Sequence, residues 1–512
     1  MFYCNIKYYG AKGDGKTDST TAISKAIKEC AKNGGGTVFI PAGEYLTGPI
    51  ELKSNITLYL ESGAIVKFKD DFDSYHLVKT RWSGYECYAY SPLIFGSNLE
   101  NVAIKGEGCF DGQGKTWWDV NRQLRSGKKF ESDRTREIAE LNRELMEWIE
   151  TNIVEWESQF LRPPLLQLIN CKNVTIEGIT LQNSPFWNTH LVYCDQVSVR
   201  GVAIKNPYDV PNGDGLDIDS CSNVRVSDCT FDVGDDCIVL KSGINEDGRR
   251  VGKPTENVVI TNCIMIHGHG GLVLGSENSG GLKNITISNC VFTCTDRGIR
   301  IKTNRERGGY IKNLLANNIY MEDVLCPIAI NSFYRYGINE NNPLLNSKEA
   351  IPVTEKTPRI EHIQISNVTA KNCRAAAAFI YGLPEMPIED VSLRHITIEM
   401  TDDPNEPGGE PDMVKEKLIM SGEGIYCKFV KEIEFYRVKI LTKQGPAITI
   451  ENCEDVEINH LKMKKHHQDT PVIVVKNSKD IFLEEKTASL SSKTYLQVDE
   501  LSSKSLYLKE SK

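Results

Sequence analysis

No stretch of this 512-residue sequence approaches the roughly 20 consecutive apolar residues that a membrane-spanning helix requires. A partner role for the bilayer is therefore not expected. A basic surplus is also lacking: 69 acidic residues outweigh 60 Lys and Arg, for a net charge of -9. Nucleic-acid binders carry a basic face, so no nucleic-acid partner is expected either, although an anionic sugar can be held wherever a few cations converge. The N-terminus, MFYCNIKYYGAKGDG, has no basic start, no apolar core of leader length and no small-residue cleavage site, and it reads as that of a cytoplasmic protein. Sixteen cysteines are present without a single CxxC pair, a distribution that suits reduced, buried thiols better than a disulfide framework.

What the sequence does have is a repeat. Asn223-VRVSDC, Asn257-VVITNC and Asn284-ITISNC share one pattern, and looser copies occur at Asn173-VTIEGI, Val197-SVRGV, His362-IQISNV, Asp390-VSLRHI, Lys431-EIEFYRV, Asp455-VEINHL and Lys479-DIFLEE. Most intervals fall between about 22 and 34 residues, the range of a solenoid or array. Each copy alternates apolar and polar residues and is rich in Val, Ile and Thr, the pattern of a strand with one buried face. Helix-length segments are lacking between copies, so a doubly wound sheet is excluded. The expected fold is all-β, a parallel β-helix over residues 1–512 as one domain; a β-propeller is second, since its blades need about 40 residues or more. Cys229, Cys263 and Cys290 recur in register and are expected to stack inside the coil, not to hold a metal.

Two helical segments break the pattern. Residues 17–32 carry apolar residues at helical spacing behind Ser19 or Thr20 as N-cap, and are expected to close the open end of the solenoid. Residues 119–163 form a helical insertion, with one helix from about Asp133 to Phe160. Its apolar stripe would run through Ile138, Leu141, Leu145, Trp148, Ile149, Ile153, Trp156 and Phe160, with Pro163 and Pro164 ending it. Residues 400–512 keep strand-like segments and are expected to add further coils.

Aligning the cysteine-registered coils without gaps places Ile238, Leu272 and Ile299 level with one another. In that register Asp235 is level with His269 and Asp296, Asp236 with Gly270 and Arg297, and Asp214 with Asp236. Strand alternation then turns Asp217, Asp219, Lys241, Arg300 and Lys302 outward. Four consecutive coils would thus feed one exposed stripe. At about 4.8 Å per strand it is about 15 Å from Asp214 to Lys302, room for a few sugar rings. Three clustered carboxylates push one pKa upward, so one should keep its proton near neutral pH. A protonated carboxyl facing an ionised one is the equipment for glycosidic-bond cleavage.

The elements NGDGLDID at 212–219, GDDC at 234–237, GHG at 268–270 and RIK at 300–302 resemble, in that order, the four motifs of glycoside hydrolase family 28, the polygalacturonases. The opening YGAKGDGKTDSTTAISKAI is similar to the N-terminal cap of pectin-acting β-helix proteins. The resemblance implies a right-handed solenoid that hydrolyses α-1,4-linked galacturonic acid with inversion and needs no cofactor. Asp235 would be the general acid, Asp214 and Asp236 would activate water, and His269 would help set the acid's protonation. Arg300 and Lys302 would bind the sugar carboxylate, chemistry that suits such a pair, with Tyr334 near the same subsite and Asn212 in the first motif contributing to substrate binding. One departure is Gly213, where the family's first motif commonly has Thr; it bears on local hydrogen bonding and not on Asp214.

KSGINEDGRRVGKP adds Arg249, Arg250 and Lys253 on an expected loop leaving the catalytic coil, and RERGG follows RIK. Such basic loops could hold the terminal carboxylates of a chain end, as in the bacterial exo-acting branch. A cytoplasmic enzyme would meet oligogalacturonides and not pectin polymer, so release of single galacturonate units is the expected activity. Endo-action, rhamnogalacturonan or xylogalacturonan hydrolysis, elimination by a Ca²⁺-dependent pectate lyase, and a non-catalytic sugar-binding β-helix remain the alternatives.

Overall fold

The asparagines that mark the repeat stand where the backbone turns through the left-handed region. Asn223, Asn257 and Asn284 have φ of 56°, 58° and 57°, and Asp228, Asn262 and Asn289 at the far end of each copy have 58°, 56° and 56°. Asn and Asp tolerate that region better than other residues with a Cβ. Their side chains also join neighbouring coils: Asn257 Nδ2 donates to Asn223 Oδ1 at 3.3 Å and Asn262 Nδ2 to Asp228 Oδ1 at 3.3 Å, while Asn313 donates to Asn284 at 3.0 Å and Asn318 to Asn289 at 2.8 Å. Between the two turns the apolar residues of each copy are buried, Val224 and Val226 in one and Val258 and Ile260 in the next.

The computed structural model describes residues 2–148, 159–337, 342–465, 470–484 and 495–509. The chain divides into two compact units, Met1–Gly268 and His269–Lys512, each built of parallel strands stacked coil on coil into a right-handed β-helix. In the first unit the strands Glu100–Gly106, Lys172–Glu177, Asp195–Arg200, Ser222–Ser227 and Thr255–Thr261 pair in order along one side. Along another run β1 (Leu166–Ile169), β2 (Thr189–Val192), β3 (Leu216–Asp219) and β4 (Asp236–Lys241). In the second unit the corresponding strands are β5 (Gly270–Gly275), β6 (Arg297–Lys302), β7 (Cys326–Asn331), β8 (Ala376–Tyr381) and β9 (Glu423–Lys428). The described residues beyond 423 continue as parallel strands to Leu506–Lys509, as expected, but 401–422 form a loop outside the coils. Cys229, Cys263 and Cys290 are each buried, and all sixteen cysteines are free.

Helix α1 is Thr20–Lys32 and buries Ala22, Ile23, Ala26, Ile27 and Cys30 against the first coil. It begins three residues later than the sequence suggested, because Asp14–Asp18 form a strand. Ser19 holds the N-cap position without a capping bond from its side chain; Asp18 accepts the Thr20 N–H instead, at 2.8 Å.

The insertion departs further from expectation. Its first helix, α2 (Lys115–Arg125), starts four residues before 119; α3 (Asp133–Leu141) and α4 (Arg143–Trp148) follow, and the single long helix is broken at Asn142. There the side chain reaches a hairpin, Leu77–Trp82 and Tyr85–Tyr90. Asn142 Oδ1 accepts the Tyr88 N–H at 2.8 Å and Nδ2 donates to the Tyr88 carbonyl at 2.9 Å. Ile138 and Phe160 are buried, but Leu141 and Trp148 are exposed; Ile149, Ile153 and Trp156 lie outside the described residues.

Candidate active site

Three carboxylates converge in the first unit. Register pairing of Leu216 with Ile238 and Ile218 with Leu240 places Asp214 level with Asp236, as expected. Two glycines let the coils close on one another here. Gly215 N–H donates to the Asp236 carbonyl at 2.9 Å, and a Cβ on it would meet the Cys237 carbonyl at 2.4 Å. Gly268 has φ +85°, and its Cβ would lie 2.3 Å from the Asp235 carbonyl. One oxygen from each of Asp214, Asp235 and Asp236 lies within 4.8 Å of the others. Asp214 and Asp236 are buried and Asp235 is half-buried.

Burial, with Asp235 and Asp217 alongside, pushes the Asp214 carboxyl well above the usual carboxylate range. The Asp214 carboxyl therefore favours its protonated form. The same oxygens could surround a cation; a proton on Asp214 relieves the same repulsion without one.

The outward residues of the preceding coils are not exposed, which corrects the stripe drawn from the sequence. Gln167, His190, Asp217, Asp219 and Lys241 are all 4% exposed or less; the Leu77–Tyr90 hairpin lies on Gln167 and Asp219, and the Trp187 ring on His190 and Lys241. Arg81 Nη1 donates to Asp219 Oδ1 at 2.9 Å and to Ser220 Oγ at 2.9 Å, Thr80 Oγ1 donates to Gln167 at 2.6 Å, and Trp82 stacks on Phe186 at 4.6 Å. Burial alone would raise the Asp219 carboxyl, but Arg81 and a 3.4 Å contact with His190 Nε2 hold it below its ordinary range. Burial lowers His190, so its imidazole is neutral at pH 7. Lys241 Nζ lies 3.6 Å from Asp217 and 4.1 Å from the Trp187 ring centroid. None of Arg81, Gln167, Trp187 or His190 was singled out from the sequence. His190 could have been, since the register carried one coil back sets it beside Asp217.

Asn212 Oδ1 accepts from Arg125 Nη2 at 2.6 Å and Arg162 Nη2 at 2.9 Å. Buried Arg162 also donates to the Pro185 and Pro211 carbonyls, which fixes the turn leading into Asp214. Gly213 gives its carbonyl to Asn206 Nδ2 at 3.2 Å. The KSGINEDGRR segment is not a loop but a short helix, α5 (Asn245–Val251). On it Arg250 is engaged by Asp247 at 2.6 Å and Glu86 at 2.7 Å and Arg249 is half-buried; beyond its end Lys253 donates to the Tyr193 carbonyl at 2.8 Å.

In the second unit β6 carries Arg300 and Lys302, and Tyr334 joins them, its ring centroid 5.5 Å from the Arg300 guanidinium and 5.3 Å from Lys302 Nζ. His269, just before β5, is half-buried and its carbonyl accepts the Arg297 N–H at 3.3 Å. Arg300 and Lys302 are 1% and 6% exposed, so they too depart from the exposed stripe. Arg300 is pinned by a residue the sequence did not reveal: Asp412 Oδ1 accepts from its Nη2 at 2.6 Å and its Nε at 3.1 Å.

Comparison with known proteins places these motifs. The model of "Glycosyl hydrolases family 28" matches residues 137–407, and that of "Rhamnogalacturonase A/epimerase, pectate lyase-like" matches residues 3–131. A probable polygalacturonase of Vitis vinifera is 32% identical over 402 residues, 77% of this chain and 73% of that protein. The crystal structure of a hyperthermoactive exopolygalacturonase from Thermotoga maritima superposes with a TM-score of 0.67 at 33% identity, covering 78% of this chain and 87% of that one. An endo-polygalacturonase of Pectobacterium carotovorum subsp. carotovorum is 26% identical over 403 residues, 73% of this chain and 89% of that protein.

Proposed function

Because the chain belongs to family 28 of the glycosyl hydrolases, it is a glycoside hydrolase, and we propose that it acts on galacturonan from the non-reducing end, releasing galacturonate with inversion. Galacturonan cleavage is the activity named for its relatives. Roles follow the motifs: Asp235 protonates the leaving oxygen, Asp214 and Asp236 hold the attacking water, His269 tunes the acid, and Arg300, Lys302 and Tyr334 take the sugar carboxylate. The carboxylate oxygens lie closer than the roughly 6.5–9.5 Å between the groups of an inverting pair, which suits two carboxylates sharing one water.

The observation that carries exo-action is the hairpin. An enzyme cutting within a chain needs a groove that stays open along the coils on both sides of the acids. Here the coils before Asp214 are roofed by Leu77–Tyr90, locked by the buried Arg81–Asp219 pair and braced from behind by Asn142. A sugar chain entering there meets a wall.

Time-resolved product analysis on defined oligogalacturonides, with the anomer followed by NMR, tests the reading. Galacturonate should be the first product, in the β-configuration, without a ladder of intermediates. An early ladder would overturn exo-action, an α-product would overturn inversion, and an unsaturated product absorbing in the ultraviolet would overturn hydrolysis.

A further inference from the structure

The outward columns of the second unit continue beyond the clamp: Arg300 is paired with Ala329 and then Phe379, and Lys302 with Asn331 and then Tyr381. On an open groove floor these positions would be wet. Instead Ala329, Asn331 and Phe379 are 0% exposed and Tyr381 7%. The loop Gly409–Met420 is what covers them. Asn331 Nδ2 donates to Asp412 Oδ2 at 3.2 Å, and Val414 and Met420 pack in one apolar cluster with Ala329, Phe379 and Tyr381. The loop leaves and returns at a single point, since Gly409 and Met420 exchange two backbone hydrogen bonds of 2.9 Å. It is therefore a strap laid across the floor and anchored on the clamp itself through Asp412 and Arg300.

We infer that this strap is a specificity element that ends the sugar groove about one coil past Arg300, so that only the first few units of a galacturonan chain are bound. The inference rests on the reading of Arg300 and Lys302 as the carboxylate clamp. One coil is about 4.8 Å, close to the length of one sugar unit, so subsites beyond the clamp are few. Sugars that find no subsite contribute no binding energy to the transition state, and chain length beyond that point ceases to matter.

The test is kcat/KM for tri-, tetra- and hexagalacturonate and for polygalacturonate, on the full chain. The expected profile is flat within about twofold from trimer to hexamer; a rise of about tenfold or more over that range overturns the inference. Hydrolysis of no oligomer at all would remove the proposed function, and this inference with it, whereas a steep profile removes only the inference. A variant in which Asn-Gly joins Gly409 directly to Met420 keeps the exit and return points of the loop and opens the floor. It should acquire the rise with chain length that the parent lacks, and an unchanged profile in the folded variant would show that the strap is not the limit. Should that variant fail to fold, the profile of the parent still decides.

Discussion

A carboxylate buried beside two others is costly unless it takes a proton, and Asp214 is the residue on which that cost falls. Its folded pKa lies above the unfolded value of 3.8, so between the two the folded state binds more protons than the unfolded one. The stability this contributes is present in full below the unfolded value and is lost as pH rises through the folded one. Asp214→Asn removes the titration and keeps the shape. The variant should melt higher than the parent at pH 7, with the gap closing as pH falls toward 4. Its kcat should fall by about 10²–10⁴-fold, the usual contribution of a positioned acid or base, with KM little changed. Melting curves from pH 4 to 8 beside initial rates check both halves. A parent that melts higher at pH 7 would show that Asp214 is not under strain, and a fully active variant would show that it takes no part in cleavage.

At the scale of elements, a buried ion pair holds the hairpin to the coil beside the Thr80–Gln167 bond and the Trp82–Phe186 stack. Arg81 and Asp219 are 1% and 0% exposed, and removing one partner of such a pair costs about 3–5 kcal/mol because the other charge is left buried and alone. Arg81→Met should lower stability by that order at neutral pH. Asp219 is held below its ordinary range, so its contribution is present above the unfolded pKa of 3.8 and fades as pH falls through the folded value; the penalty of the variant should shrink in acid. Adding Asp219→Asn should restore part of the loss, and urea unfolding of the two variants measures it. Equal stability of Arg81→Met and parent at pH 7 would show that the hairpin is held by packing alone. The coils were legible because every outward and inward position repeats: Asp214 over Asp236, and Arg300 and Lys302 on one strand, follow from counting residues. The hairpin, the break at Asn142 and the strap were not, because each depends on contacts between residues far apart in sequence, such as Arg81 with Asp219, Asn142 with Tyr88 and Asp412 with Arg300. Nothing periodic announces such a contact, and the stripe drawn as exposed was in fact covered.

Across the whole molecule, the cysteines record how the coils are filled. Cys171, Cys194 and Cys221 recur on successive coils, the Cys194 thiol donating to the Leu168 carbonyl at 3.3 Å and the Cys221 thiol to the Leu191 carbonyl at 3.3 Å. Cys229, Cys263 and Cys290 mark the end of the asparagine repeat. All are free and buried. Burial raises the Cys30 thiol to about 11 and the Cys326 thiol to about 12, which removes the thiolate that reacts with disulfide reagents. Cys294 is the exposed exception, and Cys109 is half-buried with its thiol also pushed up to about 11. Titration of the native protein with a chromogenic disulfide at pH 8 should therefore modify Cys294 quickly and Cys109 slowly, and all sixteen thiols only in denaturant. Melting should be the same with and without a thiol reductant, since no cross-link contributes to the fold. Fewer than sixteen thiols in denaturant, or a melting point that falls on reduction, would mean that disulfides and not stacked thiols hold part of the solenoid. Several fast thiols in the native state would mean that coils open far more readily than their buried strands imply.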